Sequence, residues 1–577
     1  MNKFYIYIIS LCLLYSANIQ SQNKLPIPDT LSGTNFNLII KNGSRNFYSG
    51  YTTNTMGVNG DILGQTLILR KGDIVTLNVK NTLSDTTTIH WHGMHVAPEN
   101  DGGPHTFILP GSTWSPHFTV LDNASTYWYH PHLHKKTAEH VTKGIAGFII
   151  VRDEEEAKII FPRKYGVDDF PIVIQSRAFD ASKQFIVRSE LDSVILVNGT
   201  KNPYLQVPAQ IVRLRLLNGS TERTYNFGLT GNKSFYQIGG DGGLLNAPIT
   251  RTRLRLAPGE RAEILIDFSS LQGQSIYLMS YASELQTGII GSSSVGMGNS
   301  LPDYSNNKLN GANFNILKFD IIAPTQNPIT TIPSALISNS PFSISSVNAT
   351  RILIFSSIGG MMNVSGPFVI NGTQFKIDKI NYSIPLNNTE IWELRNQTPI
   401  AHPFHIHDVQ FYLLDRNGTQ VPLNERGRKD VVLVEPMETV RFITKFQDFS
   451  NPTVPYMFHC HLLTHEDDGM MGQFIVTNPT KINENESIFP NKFSLEQNYP
   501  NPFNPSTKIK FSLPINSHVK LIVFDILGKD VYTLINEYKN AGTYEIEFNA
   551  SNLYTGVYFY QLSANNYVET KKFVLIK

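Results

Sequence analysis

Phe458-His459-Cys460-His461-Leu462-Leu463-Thr464-His465-Glu466-Asp467-Asp468-Gly469-Met470-Met471 gathers a thiol, three imidazoles and a thioether into one short run. Two histidines, a thiolate and a weak axial methionine are the ligand set of a blue copper centre. Cys460, His465 and Met470 supply three of those four locally, so a second histidine must come from elsewhere. On extended backbone, side chains alternate between faces. Cys460 then points one way, and His459 and His461 the other. One strand would serve two metal sites back to back. The plain alternative is a chance histidine cluster beside a buried free cysteine. Three more His-x-His pairs in the same chain argue against it.

Those pairs are His90/His92, His130/His132 and His405/His407. Each extended pair projects both rings to one side. Of the 16 histidines, nine lie between His90 and His140 and six between His402 and His465, with none in the 261 positions between. Two distant segments are therefore expected to meet in one site. The eight paired imidazoles, shared two, three and three among three metals, leave positions open for oxygen and water. His402, Cys460, His465 and Met470 remain for the blue site, and the count closes at four coppers.

With 577 residues the chain is too long for one core. Lys+Arg number 48 and Asp+Glu 47, which gives no pull toward nucleic acid or an anionic membrane. Charged residues make up only 16 %, and turn formers are abundant, as in an all-β exported protein. Residues 1–22 read as a secretory signal: Lys3, an apolar run from Phe4 to Tyr15, then small and polar residues. That run is too short for a comfortable membrane span. Its removal takes away Cys12 and leaves Cys460 as the single thiol, with no transmembrane segment in the mature chain. A lone thiol in an oxidising compartment is buried, modified or metal-bound, and its neighbours favour metal.

Strand and turn patterns divide the remainder into residues 23–155, 156–322, 323–480 and 490–577. The first and third carry the histidines. The second repeats the strand rhythm without ligands and is expected to act as a spacer. Asp153–Glu156 reads as a solvated acidic turn, and the Gly/Ser/Asn-rich tract Thr287–Asn307 as a mobile loop. Three units of similar rhythm suggest repeated sandwich domains. A polar link near Asn478–Ser487 leads into the fourth piece, which holds one histidine, His518, read as a surface residue.

Residues 30–478 resemble the three-domain multicopper oxidases. The resemblance rests on His90-Trp91-His92-Gly93, His130-Pro131-His132, His402-Pro403-Phe404-His405-Ile406-His407 and His459-Cys460-His461, followed by His465 and Met470. Asp101-Gly102-Gly103-Pro104 and Leu256-Ala257-Pro258-Gly259-Glu260-Arg261 also look like bacterial members. The resemblance implies three cupredoxin-like Greek-key β-sandwiches and a small C-terminal β-sandwich. It implies type 1 copper on His402, Cys460, His465 and Met470, with Met471 the alternative axial ligand. Type 2 copper would fall to His90 and His405. One type 3 copper would fall to His92, His130 and His461, the other to His132, His407 and His459. Electrons from a reductant would pass through Cys460 into His459 or His461, and dioxygen would be reduced to water. Asp101 and Glu466 sit where the family places acids that deliver protons. His95, His105, His117, His134 and His140 read as supporting or surface groups, and Trp91, Trp128 and Tyr129 as packing.

The resemblance further implies a laccase-like enzyme, a monomer, acting on a small aromatic reductant. The competing reading is a cuprous oxidase. Bacterial members of that kind carry a Met-rich insertion and extra Asp and Met ligands before the third motif, and Asn396–Ala401 holds neither; Met297, Met361 and Met362 are scattered. A non-catalytic scaffold would show lost ligands, and none is lost. The tail, Asn498-Tyr499-Pro500-Asn501-Pro502-Phe503-Asn504-Pro505 with a basic end, resembles the sorting domain of type IX secretion. It implies export through the periplasm to the cell surface or beyond, with the secretion machinery as partner.

Overall fold

A computed structural model describes residues 22–296, 300–478 and 492–577. The expected signal, save Gln22, lies outside the described residues, as do Cys12, Met297 and nearly all of the expected linker. The chain divides into two units near residue 478.

The larger unit consists of three two-sheet sandwiches. In the first, the sheet Thr30–Ser32, Thr66–Arg70, Gly147–Arg152, Ser125–His130, His90–His92 faces a sheet built on Ile74–Asn81, Asn35–Tyr48 and Tyr51–Val58. Alternating burial along Ile74–Asn81 shows one face in the core and one in water. Trp91, Tyr127 and Tyr129 fill that core among Leu, Val and Ile. The third sandwich has Trp392 at its centre, ringed by Phe404, Phe442, Phe446, Phe458 and Phe474. Cys460 and Met470 belong to the same cluster.

The middle sandwich departs from simple alternation. Every residue of the strand Ile211–Asn218 is buried. Its apolar positions enter the sandwich core. Arg213 and Arg215 would face water in an isolated domain, but here they lie in a buried ionic network that reaches the first domain. Arg215 pairs with Asp169 and Glu263 at 2.7 Å each and also bonds Thr126 Oγ1. Arg213 pairs with Glu263, and with Glu156 at 2.9 Å. The acidic stretch expected as a solvated turn is therefore only partly so. Asp153 caps the short helix Glu154–Ala157, while Glu156 is buried among Arg152, Arg163 and Arg213. Removing one partner from such a network costs about 3–5 kcal/mol, because the other charges stay buried and underpaired. Glu263→Ala should accordingly lower the unfolding temperature by several degrees, read by differential scanning calorimetry. An unchanged midpoint would show that the network contributes nothing.

The described part of Thr287–Asn307 is packed, contrary to the mobile loop expected. Ile290, Val295 and Tyr304 enter the third sandwich's core. The Tyr304 hydroxyl accepts from Gly291 N and donates to Ser292 O, each at 2.8 Å. Small polar residues there permit tight turns around three buried apolar anchors.

The smaller unit is a β-sandwich of a three-stranded sheet and the four-stranded sheet Asp530–Lys539, Ser517–Phe524, Gly556–Ala564, Tyr567–Leu575, over a core containing Phe511, Leu521, Tyr560 and Phe573. His518 is exposed on it. Among the described residues, no helix is long and apolar enough to cross a membrane.

Candidate metal centre

Antiparallel pairing sets the histidines side by side. In the first domain His130 lies opposite His90, and Trp128 opposite His92. In the third, His405 lies opposite His459, and Phe404 opposite Cys460. The two groups then meet. His90 stacks on His407 and His92 on His405, each with ring centroids 3.8 Å apart. Segments more than 300 residues apart thus build one buried imidazole cage.

Three histidine triplets place their ring nitrogens within 4.8 Å of one another: His90/His92/His405, His92/His130/His461 and His132/His407/His459. Hydrogen bonds fix which nitrogen is free. His90 Nδ1 donates to Asp101 O at 3.0 Å, His405 Nδ1 to Asp430 O at 2.8 Å, and His407 Nδ1 to Asp101 Oδ2 at 2.8 Å. The Nε2 atoms of these three rings are buried without a partner. His132 Nε2 and His459 Nε2 face each other at 3.1 Å, while Glu466 lies on their Nδ1 sides. Opposed lone pairs at that distance require a proton or a cation between them. Burial first, then neighbouring imidazoles, holds His92, His130 and His405 well below the ordinary histidine range, and His407 and His461 near 3. These rings are neutral at pH 7, and unpartnered neutral imidazoles in a buried cage are metal donors. The cage fits metal ions.

On the far side of the strand, Cys460 Sγ lies 3.5 Å from His402 Nδ1 and 3.8 Å from His465 Nδ1. His402 donates from Nε2 to Thr398 Oγ1 at 2.8 Å, which frees its Nδ1. Met470 shares the buried cluster with Cys460, and its carbonyl accepts from Cys460 N at 3.0 Å; Met471 is outside that cluster, opposite His459 in the sheet. Burial pushes the Cys460 thiol well above its ordinary range. A bound cation is what would make it a thiolate.

Both acids expected at the cluster are wholly buried on it. Asp101 Oδ1 is 3.3 Å from His90 Nδ1, and its other oxygen accepts from His407. Glu466 Oε2 is 3.2 Å from His459 Nδ1, and Oε1 is 3.4 Å from His132 Nδ1. Burial works to raise both carboxyls, but the facing rings outweigh it and hold them low. They orient the rings as outer partners of metal-binding histidines do.

Two residues at the cage have no role in the motif reading: Asp430 lies outside every motif, and Arg261 ends the Leu256–Arg261 stretch without one. Asp430 Oδ1 accepts from His92 Nε2 at 3.1 Å, so His92 alone of its neighbours offers Nδ1, which faces His130 Nε2 at 3.2 Å. Arg261 clamps Asp430 with two bonds of 2.6 Å. Arg261 comes from the middle domain, which also lays Gly259 against His461: a Cβ there, at φ +84°, would stand 3.0 Å from the ring. The middle domain is therefore part of the centre's wall rather than a spacer alone. The only signal in the sequence was the turn before Arg261.

Of the other histidines, His95 ties Asp122, Asp408 and Asp448, His105 bonds Gln473, and His140 bonds Thr87; His117 is exposed and His134 packs edge-on to Phe375. Trp91 and Tyr129 are core residues, and Trp128 stacks on His130 at 4.1 Å.

Sandwich repeats, a buried Cys–His₂ set and an imidazole cage define a copper protein of the cupredoxin kind. Multicopper oxidase profiles match residues 40–156, 177–307 and 346–480, and a secretion system C-terminal sorting domain profile matches 497–577. The multicopper oxidase mco of Staphylococcus haemolyticus is 34 % identical over 475 residues, covering 80 % of this chain and 94 % of its own. The cell division protein FtsP of Escherichia coli is 30 % identical, covering 79 % and 93 %. Among solved structures, a laccase-like multicopper oxidase CueO of Ochrobactrum sp., described with oxidase activity towards lignin model compounds, has a TM-score of 0.69 at 31 % identity and covers 78 % of this chain and all of its own. A Campylobacter jejuni multicopper oxidase described as a metallo-oxidase has a TM-score of 0.64 at 26 % identity, covering 80 % and 98 %. The chain belongs to the multicopper oxidase family. Membership implies copper ions, an oxidoreductase activity, and oxygen and a reductant as partners; the tail indicates export.

Proposed function

We propose that the protein is a laccase-like oxidase of phenols and related aromatic reductants, with four coppers held as the motifs imply. His402, Cys460, His465 and Met470 hold type 1 copper, and the eight paired histidines hold the type 2 and type 3 ions. The four segments 23–155, 156–322, 323–480 and 490–577 are proposed as its domains, the last addressing type IX secretion. When bound, the coppers take electrons singly from the reductant and deliver four to dioxygen, giving two waters.

The observation that carries the substrate class is the cavity against His465. It measures about 380 Å³, within the usual range for small-molecule sites, with Leu191, Ile290, Leu301, Val364 and Ile400 as its apolar wall and Arg188, Glu190, Glu222, Asp303 and Asp468 as its charged one. His465 is the one type 1 histidine with partial exposure, and it lines this cavity, so a ring docked there can reach it. Burial, then Glu222 and Asp192, raises Glu190 in the same wall to about 8. In its ionised form, which predominates above pH about 8, that carboxylate can take the proton a phenol loses on oxidation. Cys460 links the two sites through its own backbone, since His459 and His461 are its chain neighbours. Asp101 and Glu466 keep the cage rings in the donor tautomer.

Above pH about 8, where Glu190 is ionised, Glu190→Gln should slow 2,6-dimethoxyphenol oxidation about 100-fold, the low end for a positioned base, and the difference should shrink as pH falls. Ferrocyanide, which gives up no proton, should be oxidised at nearly the parent rate. Stability carries a second signature. Folded Glu190 keeps its proton up to about 8, against 4.5 for an ordinary glutamate. The native state then binds the extra proton between those values, so stability falls as pH rises through that window. The glutamine variant loses this slope.

A cuprous oxidase is the second reading, supported by the Campylobacter metallo-oxidase and by exposed Met361 just before Val364 of the cavity wall. Copper-loaded protein compared on Cu(I) and 2,6-dimethoxyphenol separates the two. Rapid Cu(I) turnover with negligible phenol oxidation reverses the assignment. The FtsP relatives, described as cell division proteins, raise a role outside oxidation, which absence of oxygen uptake with both reductants would favour.

A further inference from the structure

A second large cavity lies apart from the copper residues. It is an open cleft of about 800 Å³ between the end of the strand Asn35–Tyr48 and the middle domain. No acidic residue among those described lines it. Lys201, Lys308 and Lys318 do, together with the rings of Tyr48, Tyr277 and Phe314. Lys318 has a counter-charge in Asp320 at 2.9 Å. Lys201 and Lys308 have none among the described residues, nor has Lys183 beside them. Lys201 Nζ sits 3.8 Å from the Tyr48 ring centroid, and Lys183 Nζ stands 5.1 Å from the same ring.

Fully buried cations elsewhere are compensated: Arg177 bonds the carbonyls of Val141, Thr142 and Ser176, and others pair with acids. Arg213, Arg215, Arg223, Arg261 and Lys429 each face a carboxylate. At the cleft, half-buried Lys201 and Lys183 share the Tyr48 ring and no carboxylate, and exposed Lys308 adds a third ammonium group. Burial, then Lys183 and Lys308, lowers the Lys201 ammonium from its ordinary value, as mutual repulsion requires. A cleft walled by one sign of charge concentrates counter-ions. Tyrosine and phenylalanine faces add flat apolar surface, and Asn202 and Asn315 add amide donors and acceptors. The volume lies in the range of small-molecule sites and has room for far more than a bare ion.

We propose that this cleft is a second ligand site, shaped for a small acidic saccharide carrying sulfate or phosphate esters. The lysines meet the tetrahedral oxyanions, and the rings stack on the sugar faces. Binding is independent of oxidation, because none of these residues belongs to the copper centre.

Titration calorimetry on the copper-loaded full chain tests it, with a trisulfated disaccharide, inorganic sulfate and lactose as probes. The sulfated disaccharide should bind at least about tenfold more tightly than sulfate, with lactose silent and affinity falling as salt rises. The double variant Lys201→Gln/Lys308→Gln should weaken binding of the disaccharide by about tenfold or more, because two ammonium groups no longer face its oxyanions. Its phenol oxidation and unfolding temperature should stay at the parent values. Tyr48→Leu should weaken the disaccharide and leave sulfate unaffected. A disaccharide that binds no better than sulfate overturns the proposal, as does a double variant that binds as the parent does.

Discussion

Cys460→Ser protein is expected to be colourless and inactive as an oxidase while folding as the parent does. The blue colour requires a thiolate on copper, and a hydroxyl cannot replace it. Turnover should fall to the uncatalysed background, because Cys460 gives the shortest covalent route to the cage, one residue from both His459 and His461. The fold should survive, since serine is smaller and its hydroxyl sits in a pocket that already holds polar nitrogens. The stability cost should be about 1–3 kcal/mol, that of an incompletely paired buried hydroxyl. Absorbance, oxygen uptake and far-ultraviolet circular dichroism on one preparation read all three. Undiminished oxygen uptake would refute the electron route through this residue.

Arg261→Met should have the largest effect on stability. It leaves Asp430 fully buried without its guanidinium partner, and such a loss costs about 3–5 kcal/mol. Methionine fills the volume but none of the bonds that Arg261 makes to Asp430, Thr126 O, Gly259 O and Asp241 O. The consequence reaches the metal. With Asp430 unrestrained, His92 is free to turn its Nδ1 away from His130, and affinity at that position should drop about 10- to 100-fold. Thermal unfolding of the metal-free chain measures the first effect, and copper retained against a chelator the second. Arg261→Lys, which keeps the charge but not the fork, should fall between parent and Arg261→Met on both. A variant matching the parent on both would remove Arg261 from the centre.

The parts of the centre carried by local spacing were legible in the sequence. Period-two alternation put Cys460 and its flanking histidines on opposite faces, and His-x-His pairs needed only extended backbone. The histidine-free interval announced that two segments converge. Asp101 and Glu466 were legible because they lie within the motifs. Asp430 and Arg261 were not, because their pairing spans 169 residues and crosses two domains. Asp430 falls outside every motif, and the Leu256–Arg261 stretch holds nothing that points from Arg261 to it. Glu156 misled for the same reason: a run of three glutamates looks solvated until Arg213 is brought to it. The tract Thr287–Asn307 misled by composition, since three apolar anchors among glycines and serines suffice to pin it.

Copper analysis of the fully loaded chain, paired with electron paramagnetic resonance, bears most directly on the convergence of residues 90–132 with 405–461. Four coppers per chain are expected, with one blue and one type 2 signal and the remaining pair silent. A single copper per chain, or a blue signal alone, would contradict it.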